Sequence, residues 1–203
     1  MKVYFKYATM GSGKSAKACI CAYNYQEQGL KTLCVIPEVD TRHQFWEKDG
    51  FTMGRIASRI EGLTQEAYVL KNGEMLTDLI DRLPFKHDVI IIDEVQFLSK
   101  EQIDNLVQYS LANNEVIICY GLMTTFKTTL FQGSRRLVEL NAELEHLKSV
   151  GTNGKCTVVN AKFSNGIIQT EGEDVEVGGN GRYRAISLEE YYRLVRERNL
   201  TVS

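Results

Sequence analysis

Two hydrophobic periodicities alternate along this chain. Lys2–Tyr7 is rich in β-branched and aromatic residues and reads as a strand. "KSAKACICAYNYQEQG" (Lys14–Gly29) reads as a helix ended by Gly29. "KTLCVIPE" (Lys31–Glu38) is a second apolar strand, and "EMLTDLIDRL" (Glu74–Leu83) has helical spacing. "HDVIIIDE" (His87–Glu94) is a continuous apolar run, as expected of a strand buried on both faces. Ser99 with Gln102 three residues on is a capping-box pattern that opens the helix "SKEQIDNLVQYSLANN". "EVIICYGL" (Glu115–Leu122) is another buried strand, and "GSRRLVELNAELEHL" (Gly133–Leu147) reads as one further helix. Asp40 to about Thr64, broken by Gly50, Gly54 and Gly62, yields no clear element.

Strands that alternate with helices imply an α/β fold with a mainly parallel sheet, because parallel pairs need crossover connections. Near Leu147 the texture changes to short strands with Asn-Gly and Gly-Gly turns, followed by the helical segment "SLEEYYRLVRERN". The chain is therefore expected to divide into residues 1–148, a nucleotide-binding unit, and residues 149–203, a small β-rich appendage with a C-terminal helix.

Composition narrows the function. The 203 residues suit one domain with a small appendage, and 43% hydrophobic content supports a real core. A formal net charge of −2 disfavours a general nucleic-acid-binding surface. No N-terminal apolar segment and no apolar run near ~18 residues point to a soluble protein without signal peptide or membrane span. Five cysteines at irregular spacing suggest a reducing cytosol rather than a disulfide framework. Cys19 and Cys21 face different directions on a helix and read as packing residues.

Chemistry enters at "YATMGSGKSAKA" (Tyr7–Ala18), which ends in the Gly-Lys-Ser of a phosphate-binding loop but has Ala8 in place of the usual first glycine. Such a loop aims backbone N–H groups at phosphate oxygens, aided by the dipole of the helix that follows. Lys14 would neutralise the β- and γ-phosphates, and the Ser15 hydroxyl would help hold Mg²⁺. Ala8 obstructs little if its φ is negative.

A second motif, "VIIIDEVQFL", delivers Asp93 and Glu94 at the carboxyl end of an apolar strand, where parallel-sheet sites form. Asp93 suits the Mg²⁺ shell, and Glu94 suits a general base for whatever attacks the γ-phosphate. These two motifs leave the acceptor open. A kinase, a nucleotide-binding regulator that transfers phosphate poorly, and an ATPase with another acceptor all fit them.

"DEVQFL", "CYGLMTTFKTTLFQGS" and "EGEDVEVGGNGRY", with "AYNYQEQG" and "VDTR", closely resemble the thymidine kinase family of the cytosolic, tetrameric, zinc-bearing type. The likeness runs in order from Lys2 to about Tyr192, and Ala8 lies within the family's range. It implies transfer of the ATP γ-phosphate to the 5′-hydroxyl of thymidine or deoxyuridine, with Mg²⁺, in a cytoplasmic homotetramer inhibited by thymidine triphosphate. It implies that Glu94 is the catalytic base. Phosphate and metal contacts would come from the loop Ala8, Thr9, Met10, Gly11, Ser12, Gly13, Lys14 and Ser15. Asp40, Thr41 and Arg42 would lie near the phosphates, and Asp93, Val95 and Gln96 would complete that side.

The same resemblance places Phe126 beside the thymine ring, Phe97 and Phe131 as further pocket aromatics, and Met10 and Leu122 around the thymine methyl. Tyr183 would sit on a lasso loop over the base, with the backbone of Asp174, Val175, Glu176, Val177 and Gly178 bonding the base edge. Without the resemblance, the three phenylalanines would read as ordinary core.

Three departures accompany the likeness. The positions matching the family's zinc ligands are Val150, Asn153, Ser187 and Glu190, none a cysteine or histidine, so no structural zinc is expected. Ser187-Leu188-Glu189-Glu190 has the form of a capping box, and helix packing through Tyr191, Tyr192, Leu194 and Val195 is expected to help anchor the appendage. Met123 and Thr125 replace the arginine and aspartate of many bacterial relatives, and Lys162 stands where arginine is common.

Overall fold

The structure, a computed structural model, describes residues 1–40, 44–173 and 180–202. In chain order the first elements are β1 (Val3–Tyr7), α1 (Lys14–Glu27), β2 (Thr32–Pro37), β3 (Trp46–Lys48), β4 (Phe51–Ala57), β5 (Thr64–Leu70), α2 (Leu76–Arg82) and β6 (Val89–Ile92). A 3₁₀ turn at Val95–Phe97 precedes α3 (Lys100–Asn113), β7 (Ile117–Gly121), α4 (Gln132–Glu139) and β8 (Glu143–His146). Then come β9 (Val159–Ser164), β10 (Ile167–Gln169), a 3₁₀ turn at Asn180–Arg182, β11 (Tyr183–Ile186) and α5 (Leu188–Val202).

The main sheet has eight strands in the order β3-β4-β5-β2-β6-β7-β1-β8. Strands β5, β2, β6, β7, β1 and β8 run parallel, while β3 and β4 add an antiparallel extension at one edge. The apolar runs of β2, β6 and β7 are buried because both faces are covered. Leu33, Val35, Ile90, Ile92, Ile117 and Cys119 pack toward α2, α3 and α4 through Leu76, Leu79, Ile103, Leu106 and Leu137. Their alternate neighbours Cys34, Ile36, Ile91, Ile118 and Tyr120 pack against Ala18, Cys19 and Ala22 of α1. This is the mixed α/β architecture that the alternating pattern implies.

Two sequence expectations are corrected. Gly133–Leu147 is not one helix. Asn141 adopts left-handed φ 58°, the chain turns, and Glu143–His146 continues as edge strand β8, paired in parallel with β1 and tied by a Lys6–Glu145 ion pair at 2.8 Å. Strong helix formers there yield to an available strand edge, since tertiary pairing overrides propensity. The unassigned region beyond Asp40 holds the β3-β4-β5 meander. Gly54 is required there, because a Cβ would stand 2.6 Å from Ile36 Cδ1.

A second sheet, β10-β9-β11, is antiparallel throughout. The β9–β10 turn uses Asn165 and Gly166, both at positive φ, as the Asn-Gly signal implies. Tyr191, Leu194 and Val195 of α5 pack on Val159, Ala161, Ile168 and Ile186. Tyr192, expected to join them, is instead 53% exposed.

The positions matching the family's zinc ligands hold a polar cluster. Asn153 Nδ2 donates to Ser187 Oγ at 3.1 Å and to Glu190 Oε2 at 3.4 Å, and the Glu190 amide donates to Ser187 Oγ at 3.3 Å. Val150, the fourth position, is exposed. Among the described residues no group of three or more His, Cys, Asp or Glu side chains is arranged to hold a metal ion. Among them, too, no helix is long and apolar enough to cross a membrane.

Candidate active site

The phosphate loop leaves β1 at its carboxyl end. Ala8 is buried, donates its amide to Gly121 O at 3.3 Å, and lies outside the positive-φ residues, so its Cβ is accommodated. The turn demands fall on Gly11 and Gly13, at φ 74° and 81°. α1 starts at Lys14, so its N-terminal amides and its dipole face the loop. Lys14 is buried, and its ammonium donates to Thr9 O at 2.9 Å. Ser12 Oγ is buried and has no hydrogen-bond partner among the described residues.

The acid pair follows β6. Asp93 is 1% exposed. Its charge reaches α1: burial pushes the Cys19 thiol up to about 11, and the Asp93 carboxylate adds to that rise. Glu94 adopts a left-handed backbone, φ 55° and ψ 36°, uncommon for a residue with a side chain. Strain of this kind gathers at functional sites. Gln96 bridges the acid to the next strand: its Nε2 donates to Glu94 Oε2 at 2.5 Å, and its Oε1 accepts from the Leu122 amide at 2.9 Å. Gly121 leaves room for it, since a Cβ there would stand 2.5 Å from Gln96 Oε1. α4 closes against the same turn. A Cβ on Gly133 would meet Val95 O at 2.5 Å, and Ser134 Oγ donates to Leu122 O at 2.6 Å.

Two aromatic pairs follow. Phe97 and Phe131 meet edge-to-face at 6.0 Å. Phe126 is 1% exposed, with Tyr183 edge-on at 6.4 Å and the Lys162 ammonium 4.9 Å from its ring centre. Thr125 organises the turn that presents Phe126: its hydroxyl meets Thr129 Oγ1 at 2.9 Å and accepts from the Lys127 amide at 3.2 Å. Met123 packs against the main core. The two departures at 123 and 125 thus serve packing and turn formation.

Asp40 is buried just past β2, its amide bonded to Pro37 O at 3.0 Å. Thr41 and Arg42, and Asp174, Val175, Glu176, Val177 and Gly178, lie outside the described residues. Two features escaped the sequence reading. Arg59, between β4 and β5, brings Nη1 to 3.6 Å from where a Cβ on Gly11 would stand. Asn160 of β9 accepts the Met10 amide at 2.7 Å. Neither had a sequence signal, since each contact spans distant segments.

A parallel sheet that carries a phosphate loop after one strand and a buried acid pair after another defines a nucleotide-dependent α/β enzyme. The comparisons give the family. The thymidine kinase profile matches residues 1–191. The chain is 37% identical over 196 residues to a thymidine kinase of Legionella pneumophila (strain Lens), covering 95% of this chain and 90% of that one. It is 36% identical over 188 residues to a thymidine kinase of Mannheimia succiniciproducens, covering 91% and 92%. A solved large terminase from a thermophilic bacteriophage, in complex with ADP, has 11% identity and a TM-score of 0.39, covering 71% of this chain and 40% of that one. That likeness is too distant to bear on function.

The chain belongs to the thymidine kinase family. Its activity is the ATP-dependent phosphorylation of thymidine.

Proposed function

We propose that Glu94 is the base of this reaction and that the Lys14 loop holds the phosphates. The observation that carries this is the Gln96 bridge. It fixes the Glu94 carboxylate at 2.5 Å and ties it to Leu122, just past β7, whose last residue Gly121 borders the phosphate loop at Ala8. Glu94 takes the proton of the thymidine 5′-hydroxyl as that oxygen bonds to the γ-phosphorus. The bond from phosphorus to the bridging oxygen breaks, and ADP leaves with that electron pair. Loop amides and the Lys14 ammonium stabilise the charge on the transferring group.

The Ser15 hydroxyl and the buried Asp93 carboxylate are hard oxygen donors, and their setting suits Mg²⁺. Bound there, the ion would neutralise charge on the β- and γ-oxygens. Phe126, Tyr183, Phe97, Phe131, Met10 and Leu122 form the nucleoside side. On this reading residues 149–203 act as a closing unit. Family likeness supports a cytoplasmic homotetramer restrained by thymidine triphosphate, which would occupy the nucleoside and phosphate positions together.

The deciding experiment measures ADP formation with ATP, Mg²⁺ and a nucleoside panel, for the wild type and for Glu94→Gln. Thymidine-dependent turnover that falls on the order of 10²–10⁴-fold in the variant, with ATP binding retained, supports the assignment. A variant that keeps its rate removes Glu94 from the role. Hydrolysis indifferent to thymidine would favour an ATPase.

A further inference from the structure

The phosphate loop is held from outside its own sheet. Three side chains from the segment Ser149–Asn160, which leads into and begins the small sheet, reach back to Thr9 and Met10. Thr9 Oγ1 lies 2.7 Å from Thr157 Oγ1 and 3.1 Å from Ser149 Oγ, and those two hydroxyls are 2.6 Å apart. The next loop residue is fixed as well, its amide donating to Asn160 Oδ1 at 2.7 Å. Thr9, Thr157 and Asn160 are all buried, at 3%, 2% and 5% exposure. Three hydroxyls in a ring satisfy one another, each able to donate once and accept once. Such buried networks hold geometry because an unmade bond there is costly.

Thr9 is also the residue whose carbonyl accepts the Lys14 ammonium. The hydroxyl ring and the Asn160 bond therefore bracket the peptide that sets where the lysine rests. The Met10 N–H, turned to Asn160, is withdrawn from the anion cradle, which leaves the amides from Gly11 onward to face phosphate.

We propose that Thr157 and Asn160 are positioning residues for ATP: from the small sheet's side they hold Thr9 and Met10 in the shape that presents Lys14 and the loop amides to the polyphosphate. The inference rests on the reading of this loop as the ATP phosphate site. Their role is to hold the loop, not to act on the reacting atoms.

The test uses the full chain and separate KM values for ATP and thymidine, with Tm as a control, for Thr157→Val, Thr157→Ser and Asn160→Ala. Thr157→Val keeps the shape and removes the hydroxyl, whereas Thr157→Ser keeps the hydroxyl. The expected result is an ATP KM raised roughly fivefold or more in Thr157→Val and Asn160→Ala, about the effect of one lost hydrogen bond. The thymidine KM stays close to wild type in Thr157→Val, and Thr157→Ser returns the ATP KM to normal. Equal rises in both KM values in Thr157→Val, no change in ATP KM in either Thr157→Val or Asn160→Ala, or failure of serine to restore ATP use at unchanged Tm would each overturn the inference. A wild-type enzyme that binds no ATP would instead sink the phosphate-site reading beneath it.

Discussion

Gln96 makes one hydrogen bond to Glu94 and another to the backbone of Leu122, so a single amide group couples the acid of one strand to the end of the next. The left-handed backbone at Glu94 needs such a restraint, because little else in its local sequence favours that conformation.

The coupling has a steric test that leaves every reacting group in place. In Gly121→Ala the new methyl must displace Gln96 Oε1, 2.5 Å away, or Val95 Cγ1, 3.0 Å away. We expect kcat to fall about tenfold, ~1.4 kcal/mol of lost transition-state positioning, with both KM values nearly unchanged. Wild-type kcat in a folded variant would argue against Gln96 as the restraint on Glu94.

Phe126 is held between Tyr183 and the Lys162 ammonium. Phe126→Leu keeps an apolar side chain but removes the ring face. Thymidine KM should rise by about tenfold, near the ~1.4 kcal/mol worth of aromatic contact, while ATP KM moves little. A rise confined to ATP would place the ring elsewhere in the mechanism.

The Asn153–Ser187–Glu190 cluster should behave as a hydrogen-bonded clasp. Asn153→Ala loses about 1 kcal/mol of net hydrogen bonding, or roughly 2–4 °C in Tm for a chain of this size. A strong chelator should leave the wild-type Tm unchanged. Stoichiometric zinc in purified protein, or a large chelator-induced drop, would contradict the clasp.

The cysteines should separate by reactivity. Burial pushes the Cys34 thiol up to about 12 and the Cys19 thiol up to about 11, and it raises Cys21 and Cys119 as well. Thiolate is the reactive form, so these four should alkylate slowly near pH 8. Cys156 is exposed and should take the first label. Peptide mapping after brief iodoacetamide treatment checks this, and early label on Cys34 would mean that its helix–sheet contact opens readily.

Much of this was readable from residue order because it depends on local chemistry. Ile90, Ile91 and Ile92 leave few options but a doubly covered strand, and Ser99 with Gln102 forms the capping box it spells, at 3.2 and 3.0 Å. Asn165-Gly166 makes its turn for the same reason. The failures share a cause. Glu143-Leu144-Glu145 is good helix sequence, yet β1 offered an unpaired edge, which no local pattern reports. Trp46 to Leu70 was hidden because β3 to β5 form a partly exposed edge broken by glycines. In the site, Lys14 and Glu94 announce themselves by motif. Thr157 and Asn160 bond to residues 148 and 150 positions earlier and are visible only after folding.

β7 lies between β1 and β6, so the phosphate loop after β1 and the acid pair after β6 rise from strands two places apart. With neighbouring strands ~4.8 Å apart, the two roots stand about 10 Å from one another. That interval is written in backbone hydrogen bonds, beyond the reach of side-chain substitution. It acts as a built-in gauge: side chains around the loop and the acid pair are free to change, while the span between the two stays fixed by the sheet.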